Sequence, residues 1–338
     1  MSALAAVALA AGLALPPLPE PVSNNAVAAV EIAGVTYIAS FSGIGGALDY
    51  KDIHKKSWVY DSASGRWQRA PDVPGGAGRL ASVAVGLGET IYVFGGYTVA
   101  ADGSEVSLPA VHAFDPAARR FTALAPMPVP VDDAVAVTYG GRYIYLISGW
   151  HDVGNVNLVQ RYDTENDDWM QATPWPGEPV FGHAGGSVGT DIVVCDGVIV
   201  DATVVPRRFR DTRACFHGRI RADDPRRIDW QAIAPRPGGA CYRAAAAGDA
   251  ATGRVLFAGG GDNPYNYDGI GYDGVPAEPC GTAVAYDLTA RRWQTLPAAD
   301  PATMDHRGLI EAGGRFWRLG GLDAGRRPIS AVTPLPAH

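Results

Sequence analysis

One phrase returns six times along this chain: an alternating apolar run that stops on glycine, usually on a glycine pair. Its plainest form is Thr90-Ile91-Tyr92-Val93-Phe94-Gly95-Gly96. It recurs at residues 142–149, 254–260 and 315–321, and more weakly at 35–43 and 191–197. The alternation has the period of a strand, and the glycines mark a tight turn at its end. A sequence that repeats one short strand-and-turn unit cannot bury each unit alone, so neighbouring units must cover one another.

A second phrase follows at variable distance. An aromatic residue precedes Asp, and a further aromatic stands seven positions after the first: Tyr60-Asp61 with Trp67, Phe114-Asp115 with Phe121, Tyr162-Asp163 with Trp169, Tyr286-Asp287 with Trp293. This predicts a hairpin in which Asp opens a polar turn and the two aromatics lie on its two arms. The fourth unit departs, since Phe216 is followed only at Trp230 across the charged residues 219–227, and the sixth lacks the pair.

The two phrases together, at a spacing of about fifty residues, resemble the Kelch repeat of β-propellers. The resemblance covers nearly the whole chain and implies an all-β fold: residues 15–338 as a single six-bladed Kelch-type propeller. Leu15-Pro16-Pro17-Leu18-Pro19 matches the blade end Leu124-Ala125-Pro126-Met127-Pro128, and the sixth unit runs out near residues 329–336 without an outer aromatic strand. The ring is therefore expected to be closed by an N-terminal strand, which removes an exposed edge.

Composition narrows the function classes. The 338 residues are 47% hydrophobic and carry a net charge of −7, which argues against a general nucleic-acid surface. Beyond the first residues no apolar run is long enough for a spanning helix, so no stable membrane insertion is expected. Residues 1–14 are Ala-rich and apolar, which suits the core of a signal peptide and a periplasmic or secreted protein; an outer strand of the ring is the other reading. Cys195, Cys215, Cys241 and Cys280 have no zinc spacing. Disulfides 195–215 and 241–280 suit the blade geometry in an oxidising compartment, and four buried thiols remain the alternative.

In a ring of blades the chain arrives at each innermost strand on one face, which also holds the loops between second and third strands. Strand ends converge on the axis there. The arriving segments carry Asn24, Asn25, Arg79, Asp132, Asp133, His183, Tyr242, Arg243, Asp305, His306 and Arg307. Each residue alone reads as a cap on backbone groups, and the group reads as a polar mouth. Arg207, Arg208, Arg210 and Arg213 crowd the fourth unit's loop. They suggest an anionic ligand held by guanidinium forks, or a solvated loop paired with Asp211, Asp223 and Asp224. The fifth unit's loop sets Tyr265, Tyr267 and Tyr272 among Asn, Asp and Gly, a composition suited to sugar: flat rings for apolar sugar faces, amides and carboxylates for hydroxyls. Its spacing does not make an EF-hand. Trp150 and His151 follow the third unit's glycine.

Within the Kelch family the chain is similar to bacterial N-acetylneuraminate epimerases, which are exported six-bladed rings. The shared features are the blade count, the Leu-Pro segment at the N-terminus and an Arg-bearing fourth-blade loop, where Arg210 or Arg213 matches the family's Arg. Val198 stands where that pattern has Glu. The resemblance implies a small acidic sugar on the axial face and epimerase or mutarotase (isomerase) activity, without cofactor or metal. His183 and His306 would transfer protons. Arg79, Asp133, Trp150, His151, Arg210, Arg213, Tyr242, Arg243, Tyr265, Tyr267, Tyr272 and Arg307 would bind the ligand. Two rivals stay open. One is a non-catalytic glycan- or protein-binding Kelch module. The other is a galactose oxidase-like copper enzyme, for which Cys241 and Cys280 lie near Tyr242 and Tyr272.

Overall fold

The computed structural model describes residues 15–336. Five four-stranded antiparallel sheets and one three-stranded sheet follow one another along the chain as six blades. Blade one, for example, consists of Ala26–Ile32, Val35–Ile44, Ile53–Asp61 and Arg66–Ala70. Blade six consists of Ile310–Ala312, Arg315–Leu319 and Val332–Pro334. In every blade the glycine-terminated phrase forms the second strand. Its alternation buries residues on both faces, because each blade is covered by a neighbour on either side.

The aromatic phrase forms the third and fourth strands. Tyr60 and Trp67, Phe114 and Phe121, Tyr162 and Trp169, and Tyr286 and Trp293 are direct cross-strand partners. Their ring centroids lie 4.6–5.6 Å apart. The tryptophans also fasten blade to blade. Trp169 Nε1 donates to the Ala125 carbonyl (2.9 Å), and Trp293 Nε1 donates to that of Ala234 (2.7 Å), each in the link leaving the preceding blade. Blade four keeps the plan with one substitution. Trp230 lies opposite Gly218 rather than Phe216, and an added Cβ there would run into the indole. Residues 219–227 are not a loop insert; they lengthen the two outer strands of that blade.

Six apolar clusters hold the ring, one between each pair of adjacent blades. The innermost strands are Ala- and Gly-rich, which lets them crowd the axis: a Cβ on Gly248 of blade five would strike the Ser187 carbonyl of blade four. Closure between blades six and one uses the N-terminal segment. Leu18 and Val22 join the cluster of Ile310, Trp317 and Leu319. Trp67 Nε1 donates to the Pro16 carbonyl at 3.0 Å, so residues 15–22 take the path of the links that leave the other blades. The outer strand expected from the N-terminal segment, and the signal peptide expected in residues 1–14, lie outside the described residues. Among the described residues, no helix is long and apolar enough to cross a membrane.

Candidate functional site

Each blade begins with one residue in the left-handed backbone region. These are Asn24 (φ 60°), Ala81 (52°), Asp133 (48°), Gly182 (63°), Arg243 (53°) and Asp305 (66°). Five are not glycine, and such a conformation persists only where surrounding structure enforces it. The enforcement is a belt of hydrogen bonds around the axis. Asp133 N donates to the Ala81 carbonyl, Gly182 N to that of Asp133, Arg243 N to that of Gly182, and His306 N to that of Arg243, at 2.8–3.1 Å.

Side chains of the belt form a buried ion lattice. Arg243 donates to Asp133 Oδ2 (2.6 Å) and Asp305 Oδ1 (3.3 Å). Arg307 Nη2 lies 3.0 Å from Asp133 Oδ1 and 3.4 Å from Asp305 Oδ1. Asn24 Nδ2 donates to Asp305 (3.3 Å). Burial pushes the Asp133 carboxyl up, but the charges of Arg243 and Arg307 outweigh it and hold the group below the usual carboxylate range. Asp132, one residue earlier, accepts a hydrogen bond from the Ser107 hydroxyl (2.7 Å). Burial and the adjacent Asp133 charge push its carboxyl well above the ordinary value.

Aromatic residues from loops of several blades stand over the lattice. The Arg243 guanidinium lies 4.7 Å from the Tyr242 ring and 5.4 Å from that of Tyr265. These two rings meet edge to face at 5.0 Å, and both are buried. Among the described residues, neither hydroxyl has a hydrogen-bond partner. Phe181 and Trp150 continue the wall. Phe209 of blade four stacks on Tyr272 of the blade-five loop, with centroids 3.9 Å apart. That loop crosses the mouth, since Tyr267 packs against Ile44, Leu80 and Tyr97 of blades one and two.

Comparisons with known proteins agree with this architecture. The Kelch motif matches residues 78–128, which contain blade two. The solved structure of YjhT superimposes with a TM-score of 0.74 over 96% of this chain and 97% of that one, at 15% identity. The chain is a Kelch-repeat β-propeller. Kelch-like protein 25 of Xenopus tropicalis is 27% identical over 164 residues, 45% of this propeller and 26% of the relative. Beta-scruin of Limulus polyphemus is 27% identical over 158 residues, 44% of this propeller and 16% of the relative. The propeller thus spans about a quarter or less of the length of these two relatives. The YjhT likeness, at its level of identity, concerns the fold.

Of the residues singled out in the sequence, Asp133, Tyr242, Arg243, Tyr265 and Arg307 come together at the belt, with Trp150 and Tyr272 above them. Others do not reach it. Arg79 is wedged under blade two, donating to the Gly95 (3.2 Å) and Pro74 (2.6 Å) carbonyls. Arg210 pairs with Glu178 at the surface (2.7 Å), and Arg213 donates to the Arg236 carbonyl (3.1 Å), so the arginine run does not converge on an anion site. His151 Nδ1 donates to the Pro130 carbonyl (2.8 Å).

The two histidines line a cavity of about 300 Å³ along the axis, which Asp133 and Arg307 also border. His183 Nε2 donates to the Ile147 carbonyl (2.8 Å), and His306 Nε2 is hydrogen-bonded to the Thr303 hydroxyl (2.9 Å). Burial lowers His183 to about 4; burial and then the Arg318 charge lower His306 to about 3. Both are neutral at pH 7, outside the range that suited them to proton transfer. Cys195–Cys215 and Cys241–Cys280 are disulfides. Neither Cys241 nor Cys280 is therefore free for the tyrosine cross-link that the copper-enzyme reading needs. In the blade-five loop, Asp262, Asp268 and Asp273 accept backbone N–H groups at 2.8–2.9 Å, the work of turn residues.

The sequence reading passed over Tyr97, Phe181 and Phe209. Tyr97 was within reach, because it follows Gly95-Gly96 at the offset at which Trp150 follows Gly149. Phe209 sits inside the arginine run and gives no local sign of its partner Tyr272.

Proposed function

We propose that this propeller is exported and binds a small carbohydrate at the axis of its upper face without turning it over. The observation that carries the reading is the pair of buried, unpartnered hydroxyls of Tyr242 and Tyr265, set between an ion lattice and an aromatic wall. A buried hydroxyl without a partner is costly, and a ligand hydroxyl would satisfy it. Aromatic faces supply the stacking surface that apolar sugar faces need. The two disulfides support export to an oxidising compartment. Epimerase activity has less support, since the neutral histidines and the arginines locked to Asp133 and Asp305 leave no free acid–base pair or carboxylate anchor among the residues assigned to that chemistry.

Tyr242→Phe and Tyr272→Ala test the site. Tyr242→Phe removes a hydroxyl that has no hydrogen-bond partner among the described residues, so melting should be unchanged while sugar affinity falls roughly five- to tenfold, the worth of about one hydrogen bond. Tyr272→Ala should weaken binding by a similar factor through lost stacking. Isothermal titration against a panel of sugars reads both, and unchanged affinity in both variants would remove the axial site. Mutarotation of N-acetylneuraminate followed by NMR should run at the same rate with and without the protein; acceleration would restore the isomerase reading. Kelch propellers commonly bind protein partners, and a panel in which no sugar binds would shift the assignment to a protein segment.

A further inference from the structure

The two hydroxyls at the axis are sealed from solvent. Tyr242 is 2% exposed and Tyr265 0%, and both hydroxyl oxygens are buried. A ligand can bond to them only after their cover moves, so the cover decides access.

That cover is the blade-five loop between Asp262 and Glu278. It passes over the axis and comes to rest on four other blades. Tyr267 packs against the cluster of Ile44, Leu80 and Tyr97 from blades one and two. Tyr272 lies on Phe209 of blade four. Gly269 is so close to Arg326 of blade six that an added Cβ would stand 2.9 Å from its side chain.

The loop is nonetheless bonded to itself. Among the described residues, the hydrogen bonds of residues 263–277 all close within the loop. Asn263 Nδ2 donates to Asp273 Oδ1 (2.9 Å), Tyr272 N to the Pro264 carbonyl (3.1 Å), Gly271 N to that of Val275 (2.8 Å) and Ala277 N to that of Gly269 (3.0 Å). The neighbouring loops are fastened differently. Ser107 donates to Asp132 and Asp152, and Asn155 Nδ2 donates to the Pro179 and Val198 carbonyls. A segment that satisfies its own backbone can leave the surface without stranding a donor or an acceptor, and it gives up only side-chain contacts. Its base is held. Asp262 N donates to the Glu278 carbonyl (3.0 Å), Glu278 N to the Asp262 carboxylate (2.8 Å), and Cys280 is bridged to Cys241.

Resting on the axial-site reading, we infer that residues 263–277 form a gate that swings as one body about Asp262 and Glu278, latched by Tyr267 on blades one and two and by Tyr272 on Phe209. Opening lifts Tyr265 away from Tyr242 and admits the sugar. Closing returns the Tyr265 hydroxyl to it.

The gate has a kinetic signature. The closed free protein and the closed complex share the same latches. Weakening a latch raises the open fraction equally in both, so association and dissociation quicken together and affinity barely moves. Loss of a residue that touches the ligand changes affinity instead, chiefly through dissociation.

The test uses the full chain and begins without ligand. Hydrogen exchange read by mass spectrometry should show the amides of residues 263–277 opening together. Tyr267→Ala and Phe209→Ala should each speed that exchange roughly tenfold and leave the second strands of the blades at the parent's rate. Tyr267→Phe keeps the apolar latch and should match the parent. Stopped-flow tryptophan fluorescence with glucose, galactose and N-acetylglucosamine supplies the second half. For each of the three that binds, Tyr267→Ala should raise both rate constants roughly tenfold at near-constant affinity. Unchanged loop exchange in both alanine variants overturns the gate. Faster exchange with unchanged sugar kinetics also overturns it; if Tyr242→Phe still weakens binding in that case, the axial site itself stands. Faster exchange with none of the three sugars bound keeps the gate and removes the sugar reading.

Discussion

Replacing Arg243 by Met is expected to cost the propeller about 3–5 kcal/mol, the usual effect of removing one partner from a buried ion pair. The melting temperature should fall by about 4–7 °C. The loss does not come from the missing attraction alone. Arg243 is 2% exposed and holds Asp133 and Asp305, which are 3% and 0% exposed. Met fills much of the volume but leaves two carboxylates short of a cation in a place water does not reach. The pH dependence gives the sign. In the parent, Asp133 is held below the ordinary carboxylate value, so its contribution is present above the unfolded value and is lost as acid titrates it. In the variant, burial raises the same group, so stability is lost as pH rises through the unfolded value. The gap between the two proteins is therefore widest at neutral pH and narrows below about pH 4. Urea unfolding at pH 7 and pH 4 measures it, and the double variant Arg243→Met, Asp305→Asn, which leaves Arg307 paired with Asp133 at 3.0 Å, should recover most of the loss. A gap that does not change with pH would mean that Arg243 matters for packing rather than for charge. For the same reason a sugar-binding defect in an Arg243 variant says little about ligand contact, and Tyr242 and Tyr272 make cleaner probes.

What could be read from the sequence follows the distance over which each feature acts. The second strands, the aromatic hairpins and the blade count depend on neighbours within one unit, and residues such as Tyr92, Phe114 and Phe121 announce them by spacing. Position on the upper face was also legible, because the left-handed residue that begins each blade stands at a fixed place before its inner strand. What a polar side chain does there was not. Arg79 and Arg243 look alike in sequence, both just ahead of an inner strand. Two residues of register separate them: Arg243 occupies the belt position, whereas Arg79 stands two residues before its equivalent, Ala81, and turns to the carbonyls of Gly95 and Pro74. The contact between Phe209 and Tyr272 joins loops of two blades and has no local signature. The fourth-blade arginines misled for a related reason. Their count suggested an anion, while their partners Glu178 and the Arg236 carbonyl come from segments far along the chain.

The two disulfides should separate stability from binding. Cys195 and Cys215 face each other across the second and third strands of blade four, where the backbone ladder already fixes their register. Cys241 immediately precedes Tyr242, and Cys280 ends the loop that carries Tyr265, Tyr267 and Tyr272. The bridged residues are 20 and 39 positions apart. Chain-entropy reasoning then assigns about 3 kcal/mol to the first bridge and about 4 to the second, or about 4–6 °C of melting temperature for each. Replacing Cys195 and Cys215 by Ala should lower melting and leave sugar affinity near that of the parent, because neither residue touches the axial chamber. The same change at Cys241 and Cys280 should lower melting by as much or more and also weaken binding, since the second bridge ties the base of the tyrosine loop to the residue beside Tyr242. Differential scanning calorimetry with and without a mild reductant, paired with titration of each double variant, reads the two effects independently. Equal loss of affinity in both variants would show that binding follows overall stability. Affinity unchanged by loss of the second bridge would mean that the loop is held in place by its packing against Leu80, Tyr97 and Phe209, so that the covalent tie contributes to the fold alone.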